Sequence, residues 1–299
     1  MVREFDKNFF ERALRFGYKD ETIEVLEYDV KNCCAKGANF LSDLYRSTLK
    51  LKRSTNVNEK EYNINVIIKC EPSMDASALE ICSQQNLFKT ELKIYTDVLK
   101  EIEMITCQKI GPKLLYSSKD SKIFVMEDLN VEGYKTMDRQ KGLSLHHCLL
   151  LIYKMAALHA GSVAFCEKVD YQMSVYSSPA IDLLYFLNIC PDNKLKYEKE
   201  DYFLKIYIRT LGNIMRTIGC VTKPPTIKDL KRSMYKRRLY AIFSGIVLYP
   251  RMVADECEHF EEVLGKLDGK TKLNVFKKEE AIVSTRKFIK FMNQQSYFD

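Results

Sequence analysis

The run Asn65-Val66-Ile67-Ile68-Lys69 constrains this chain more than any other stretch. Its β-branched residues read as a buried strand, closed by Glu71-Pro72, and the strand carries a lysine at its end. An ammonium taken out of water without a partner is very costly. Any fold that buries this strand must therefore bring a carboxylate to Lys69 or leave its amine a path to solvent. The next helical pattern offers a carboxylate. Across residues 87–102, Leu87, Phe88, Ile94, Tyr95, Val98, Leu99 and Ile102 recur at helical spacing, and Glu91 stands inside that stripe. Two readings are open: an internal ion pair with Lys69, or a flank glutamate reaching solvent.

Around this core the pattern changes along the chain. Residues 5–26 read as helix. Lys36-Gly37-Ala38-Asn39-Phe40-Leu41-Ser42 reads as a turn between two strands, the second over 44–51. Such a glycine-bearing turn can lay backbone N–H groups against phosphates, or it is a plain hairpin. Residues 54–63 are polar and read as a loop. Strands are expected over 114–116 and 123–126, the second ending abruptly in Glu127-Asp128-Leu129. A polar stretch to Gly142 follows, and it suggests a boundary.

Helical patterns then take over. Ser144 is a good N-cap for a helix to about residue 165. His159 on its apolar face reads as a hydrogen-bonded core histidine rather than a ligand. Further helices are expected over 179–187, with Pro179 in the first turn, then over 197–218, 227–248 and 279–293. Asp182 sits near the start of the first of these. Asp170, in Val169-Asp170-Tyr171-Gln172, is either a surface-turn residue or a carboxylate aimed at a cation. Magnesium takes only one or two protein carboxylates. The expected fold is α+β in two parts, residues 1–128 with strands and residues 129–299 nearly all helix.

Composition narrows the class. The 299 residues carry a formal charge of +7 and ten cysteines. No C-x-x-C pair or Cys/His cluster suggests zinc, so the thiols read as reduced and the chain as cytoplasmic. No signal-peptide core and no uninterrupted apolar run of membrane length are visible, and the chain is expected to be soluble and monomeric. Lys228, Lys231, Arg232, Lys236, Arg237 and Arg238 form the densest basic cluster. A solvated helix face fits it better than a nucleic-acid patch, so no nucleic-acid partner is expected.

Strand lysine, helix glutamate, acidic strand exit, helical half and metal-type aspartate follow the order of parts in a kinase-fold phosphotransferase. The chain resembles the ecdysteroid-kinase-like proteins of arthropods, relatives of choline and aminoglycoside kinases. The resemblance rests on Lys36-Gly37-Ala38-Asn39-Phe40 with Ser42, Val66 to Lys69, Leu87-Phe88-Lys89-Thr90-Glu91, and Val125 to Leu129 with Gly133-Tyr134. It continues through Ala157-Leu158-His159-Ala160 with Ser162, Asp170-Tyr171-Gln172, and residues 178–186. It implies a bilobal kinase-like fold binding ATP and Mg2+, with an ecdysteroid-like or other small hydroxylated acceptor. Lys69 would contact the phosphates, Glu91 would brace it, and Asn39 and Ser42 would belong to the nucleotide-covering turn. The backbone from Glu127 to Leu129 would meet adenine. Asp170 would hold magnesium, with Asp182 and His159 in supporting roles.

One family part is missing. Enzymes of this type carry H-x-D followed by an asparagine before the metal aspartate. The residues two places after the four histidines are Cys148, Leu149, Gly161 and Glu261. Only ten residues separate His159 from Asp170. The resemblance therefore implies a deletion near residues 166–169, from a skipped exon or a faulty gene model, and impaired catalysis; the alternatives are a non-catalytic nucleotide- or ligand-binding pseudokinase, or an unstable truncated isoform.

Overall fold

A computed structural model describes residues 5–33, 41–54, 59–72, 76–118, 120, 122–168, 178–253 and 278–298. They form two units. One contains the described residues of 5–99 and 111–135; the other contains those of 100–110, 136–253 and 278–298.

The first unit is built on a five-stranded antiparallel sheet, β1 (Glu24–Asn32), β2 (Asp43–Ser54), β3 (Glu59–Cys70), β4 (Leu114–Ser117) and β5 (Ile123–Glu127), in the order β1-β2-β3-β5-β4. Side chains alternate between faces along a strand, and β3 follows that rule. Val66, Ile68 and Cys70 are fully buried against helix α1 (Lys7–Tyr18), together with Leu49, Leu51, Phe10 and Leu14. Ile67 points the other way and packs with Phe88, Phe124 and Met126 under helices α2 (Ala76–Gln84) and α3 (Leu87–Lys93). Lys69 has the parity of Ile67, so it belongs to the α3 face.

Two local expectations are corrected here. The helix expected over 5–26 stops at Tyr18, where Lys19 turns left-handed at φ 54. Ile23 and Val25 are buried in the sheet core, and Val25 pairs with Leu51. The loop expected over 54–63 gives way to strand from Glu59, which pairs with Ser54. Its polar residues face water, where Lys50 meets Glu61 at 3.0 Å. Helix α2 had no apolar stripe to announce it, since Ala78 and Cys82 are small.

The helical run that begins with α3 passes through a π-helical segment, Ile94–Leu99, into α4 (Lys100–Thr106). The π segment shifts the register, which leaves Ile94 exposed although it shares the sequence stripe with buried Phe88 and Ile102.

The second unit is helical: α4, α5 (Leu145–Lys168), α6 (Ala180–Ile189), α7 (Glu200–Thr217), α8 (Ile227–Lys236), α9 (Arg238–Ile242), α10 (Tyr249–Val253) and α11 (Glu279–Gln294). Ile152, Ala156 and Ala160 of α5 meet Leu183 and Phe186 of α6 and Phe203, Leu204 and Tyr207 of α7 in its core. The expected single helix over 227–248 is broken at Arg237, φ −110, and a π-helical segment, Phe243–Leu248, follows α9. Helix α5 is long and apolar enough in composition to cross a bilayer. It is interrupted by Lys154 and His159, and both hold polar partners within this unit.

Candidate functional site

In the first unit, the parity of β3 and the first turns of α3 bring Lys69 and Glu91 together. The Lys69 Nζ donates to both Glu91 oxygens at 2.7 Å. The side chains are 22% and 29% exposed, so the pair is shielded but open to a ligand. Phe88, one turn before Glu91, lies under the ammonium with its ring centroid 5.6 Å from Nζ. An aromatic face and a chelating carboxylate hold the amine in one place. Between the two readings of Glu91, the ion pair is the one that forms. Cys82 is buried beside Phe88, Phe124 and Met126, and burial raises its thiol pKa, with Glu71 adding and Lys69 opposing.

The strand exit of β5 is fastened from several sides. The Glu127 N–H donates to the Lys113 carbonyl at 3.0 Å, and the Glu127 carboxylate accepts from the Lys113 N–H at 2.6 Å. Asp128 caps a 3-10 turn, Leu129–Glu132, by accepting from the Asn130 N–H at 3.1 Å. Its carboxylate also takes a two-point grip from Arg46 of β2, Nε at 2.6 Å and Nη2 at 3.4 Å. As first residue of its turn, Leu129 has an N–H with no partner inside the turn. Ser42 is buried just ahead of β2. Asn39 lies outside the described residues.

In the second unit, the first turn of α6 sets Asp182 beside α5. Its Oδ2 lies 3.0 Å from the His159 Nε2, and the His159 Nδ1 lies 2.8 Å from the Tyr207 hydroxyl. Both ring nitrogens of His159 are thus occupied, which suits a core histidine that orients a carboxylate. Burial raises the Tyr207 phenol, and the Asp182 charge adds to it. Asp182 stays 61% exposed, with one oxygen left for other partners.

Asp170 and the residues around it lie outside the described residues. Among the described residues no group of three or more His, Cys, Asp or Glu side chains is placed to hold a metal. Asp138 and Asp192 have no motif behind them, and both carboxylates are engaged locally. Asp138 accepts from the Gln140 N–H, and Asp192 from the Lys194 and Leu195 N–H groups. The described cysteines, Cys33, Cys70, Cys82, Cys107, Cys148, Cys166, Cys190 and Cys220, are free thiols.

The sequence matches the ecdysteroid kinase-like family over residues 36–169 and again over 168–220. The chain belongs to that family. No curated protein and no solved structure matches it. The α+β architecture, a five-stranded sheet unit followed by a mainly helical one, is the bilobal kinase-like fold expected of an ecdysteroid kinase-like chain. The family match comes in two pieces that meet at residues 168–169.

Sequence reasoning missed Arg46, Asn130 and Phe88 as parts of the site. Arg46 carried no distinguishing signal: it alternates with Tyr45 and Ser47, which are buried on the other face of the strand. Phe88 reads only as a core aromatic until the lysine above it is seen.

Proposed function

We propose that this chain is a nucleotide-binding member of the ecdysteroid kinase-like family in which phosphate transfer to an alcohol is impaired. The observation that carries it is the Lys69 amine chelated by both Glu91 oxygens at 2.7 Å. That arrangement presents a fixed positive charge to phosphate oxygens, as in kinase-fold enzymes. In this reading the strand exit from Glu127 to Leu129 supplies backbone groups for adenine, and Asn39 and Ser42 are proposed as nucleotide-binding residues. The acceptor is a small hydroxylated molecule of the ecdysteroid type.

Magnesium, when bound, neutralises charge on the phosphoryl oxygens. Asp170 is the carboxylate proposed to hold it, and a single protein carboxylate with nucleotide phosphates and water suffices for this ion. Asp182, oriented by His159, is assigned a supporting role.

Transfer also needs a base that accepts the hydroxyl proton and holds the oxygen in line. No histidine here is followed two places on by aspartate. The break in the family match at 168–169 falls where that segment is expected. A second reading, a pseudokinase that binds nucleotide without transferring phosphate, is favoured by the same observation.

The test is a thermal melt with ATP and magnesium. Ligand at about 100 times its Kd adds roughly 2.7 kcal/mol, so Tm should rise by several degrees and Lys69→Ala should abolish most of the rise. An unchanged Tm at millimolar nucleotide would contradict the proposal.

A further inference from the structure

We infer that Arg46 is a positioning residue for adenine, acting through Asp128 on the backbone that leaves β5. The inference rests on the nucleotide-binding reading above and extends it to a residue outside the kinase-type motif set.

The register places Arg46 opposite Ile67, and Ile67 opposite Met126, so the three form one row across β2, β3 and β5. Leu44, Lys69 and Phe124 form the neighbouring row on the same face. Arg46 and Lys69 are therefore diagonal neighbours on one sheet face, a separation of roughly 7–8 Å in antiparallel pairs. From there the guanidinium reaches the end of β5 and grips both Asp128 oxygens, at 2.6 Å and 3.4 Å.

The far side of the grip is as well defined. The Asp128 side chain is only 3% exposed, so its charge is committed to Arg46 and to the Asn130 N–H. The Asn130 amide is satisfied when its oxygen accepts from the Arg46 Nη2 at 2.8 Å and its nitrogen donates to the Tyr134 carbonyl at 3.0 Å. The Tyr134 N–H returns to the Leu129 carbonyl at 3.2 Å, and the Val131 N–H to the Asp128 carbonyl at 3.2 Å. Arg46 thus closes a ring of bonds around Asp128, Leu129 and Asn130.

The chemistry requires arginine. A planar fork can bond both carboxylate oxygens and an amide oxygen at once, whereas a lysine is a single point donor. Without the fork, Asp128 would be a buried carboxylate short of a cation, and the turn would relax toward water. The backbone groups that read adenine would then lose their fixed spacing while the Lys69–Glu91 clamp stayed intact.

Calorimetric titration of the full chain with adenosine, guanosine and ATP separates the parts. Wild type should bind adenosine more tightly than guanosine. Arg46→Met should weaken adenosine and ATP by a similar factor, roughly tenfold or more, and shrink the adenosine preference. Arg46→Lys should restore little of it. Lys69→Ala should weaken ATP and leave adenosine nearly unchanged. A general loss of stability would not alter the adenosine-to-guanosine ratio of the folded protein.

If wild type binds neither adenosine nor ATP, the nucleotide reading falls and this inference with it. If wild type binds both and Arg46→Met keeps the adenosine affinity and preference, the inference alone is overturned. Should Arg46→Met fail to fold, Asp128→Asn decides: it removes the charge that Arg46 grips and keeps a side-chain oxygen to cap the Asn130 N–H. Reduced adenosine preference in Asp128→Asn supports the inference, and unchanged preference overturns it.

Discussion

Lys69 and Lys196 show how differently two shielded lysines are treated. Lys69 is chelated by Glu91. Removing one partner strands the other, at a cost near that of a charge-assisted hydrogen bond, about 1.5–3 kcal/mol. Glu91→Ala and Lys69→Ala should each be destabilising in urea titrations, and the double variant should cost less than their sum. Additive costs would show that the pair contributes nothing as a pair. Lys196 is buried, its Nζ has no hydrogen-bond partner among the described residues, and it sits 2.9 Å from the Tyr249 ring centroid. Burial lowers its pKa from 10.5 to about 6, with Cys190 and Asp192 pulling the other way. Above pH 10.5 the amine is neutral in both folded and unfolded chains and costs nothing. As pH falls from there toward about 6, only the unfolded chain takes up the proton, so stability is progressively lost, and below about 6 the loss levels off. Lys196→Met should raise Tm at pH 7 and flatten the slope of stability between pH 7 and 9. An unchanged slope would mean that Lys196 reaches solvent in solution. Sequence reasoning found Lys69 because a β-branched run ended on it, and Glu91 because it interrupted an apolar stripe. It passed over Lys196 and Arg46 because a lone cation in polar or alternating sequence looks like surface.

At the scale of elements, close approach decides where α4 and α5 meet. A Cβ built on Gly161 would stand 2.6 Å from the Ile102 Cγ2 and 2.9 Å from the Thr106 Cγ2. Glycine inside a helix ordinarily costs roughly 1 kcal/mol relative to alanine; here it is the residue that lets the helices touch. Gly161→Val should therefore destabilise, by about 1–3 kcal/mol as overpacking does, read as a lower urea midpoint. A neutral or stabilising result would mean that α4 shifts freely. Elements with strong periodicity, β3, β5 and α5, were legible in the sequence. Those whose signal was tertiary were not. Residues 59–63 are polar apart from Tyr62, and they become strand by pairing with β2. Residues 23–26 extend an apolar helical pattern, yet Val25 pairs with Leu51 instead. The π segment after α3 has no buried residue, and no residue in Ile94–Leu99 announces it.

For the whole molecule, the order of parts carries more than any one motif. The chain joins a lysine–glutamate clamp on a five-stranded sheet to a helical unit in which His159 orients Asp182. Its match to the ecdysteroid kinase-like family breaks at residues 168–169. If Asp170 holds magnesium, Asp170→Ala should remove the extra nucleotide-induced stabilisation that magnesium gives, while leaving the metal-free part. Stabilisation by magnesium that survives Asp170→Ala would remove this aspartate from the site. The most direct test of the central claim is the rate of phosphate transfer from ATP to a hydroxylated steroid. It should be measured on the 299-residue chain and on a form carrying an H-x-D…N segment between Cys166 and Val169. General-base assistance is worth about 10²–10⁴-fold, so the 299-residue chain should be slower by at least that lower factor while still binding nucleotide. Equal rates in the two forms would contradict the account.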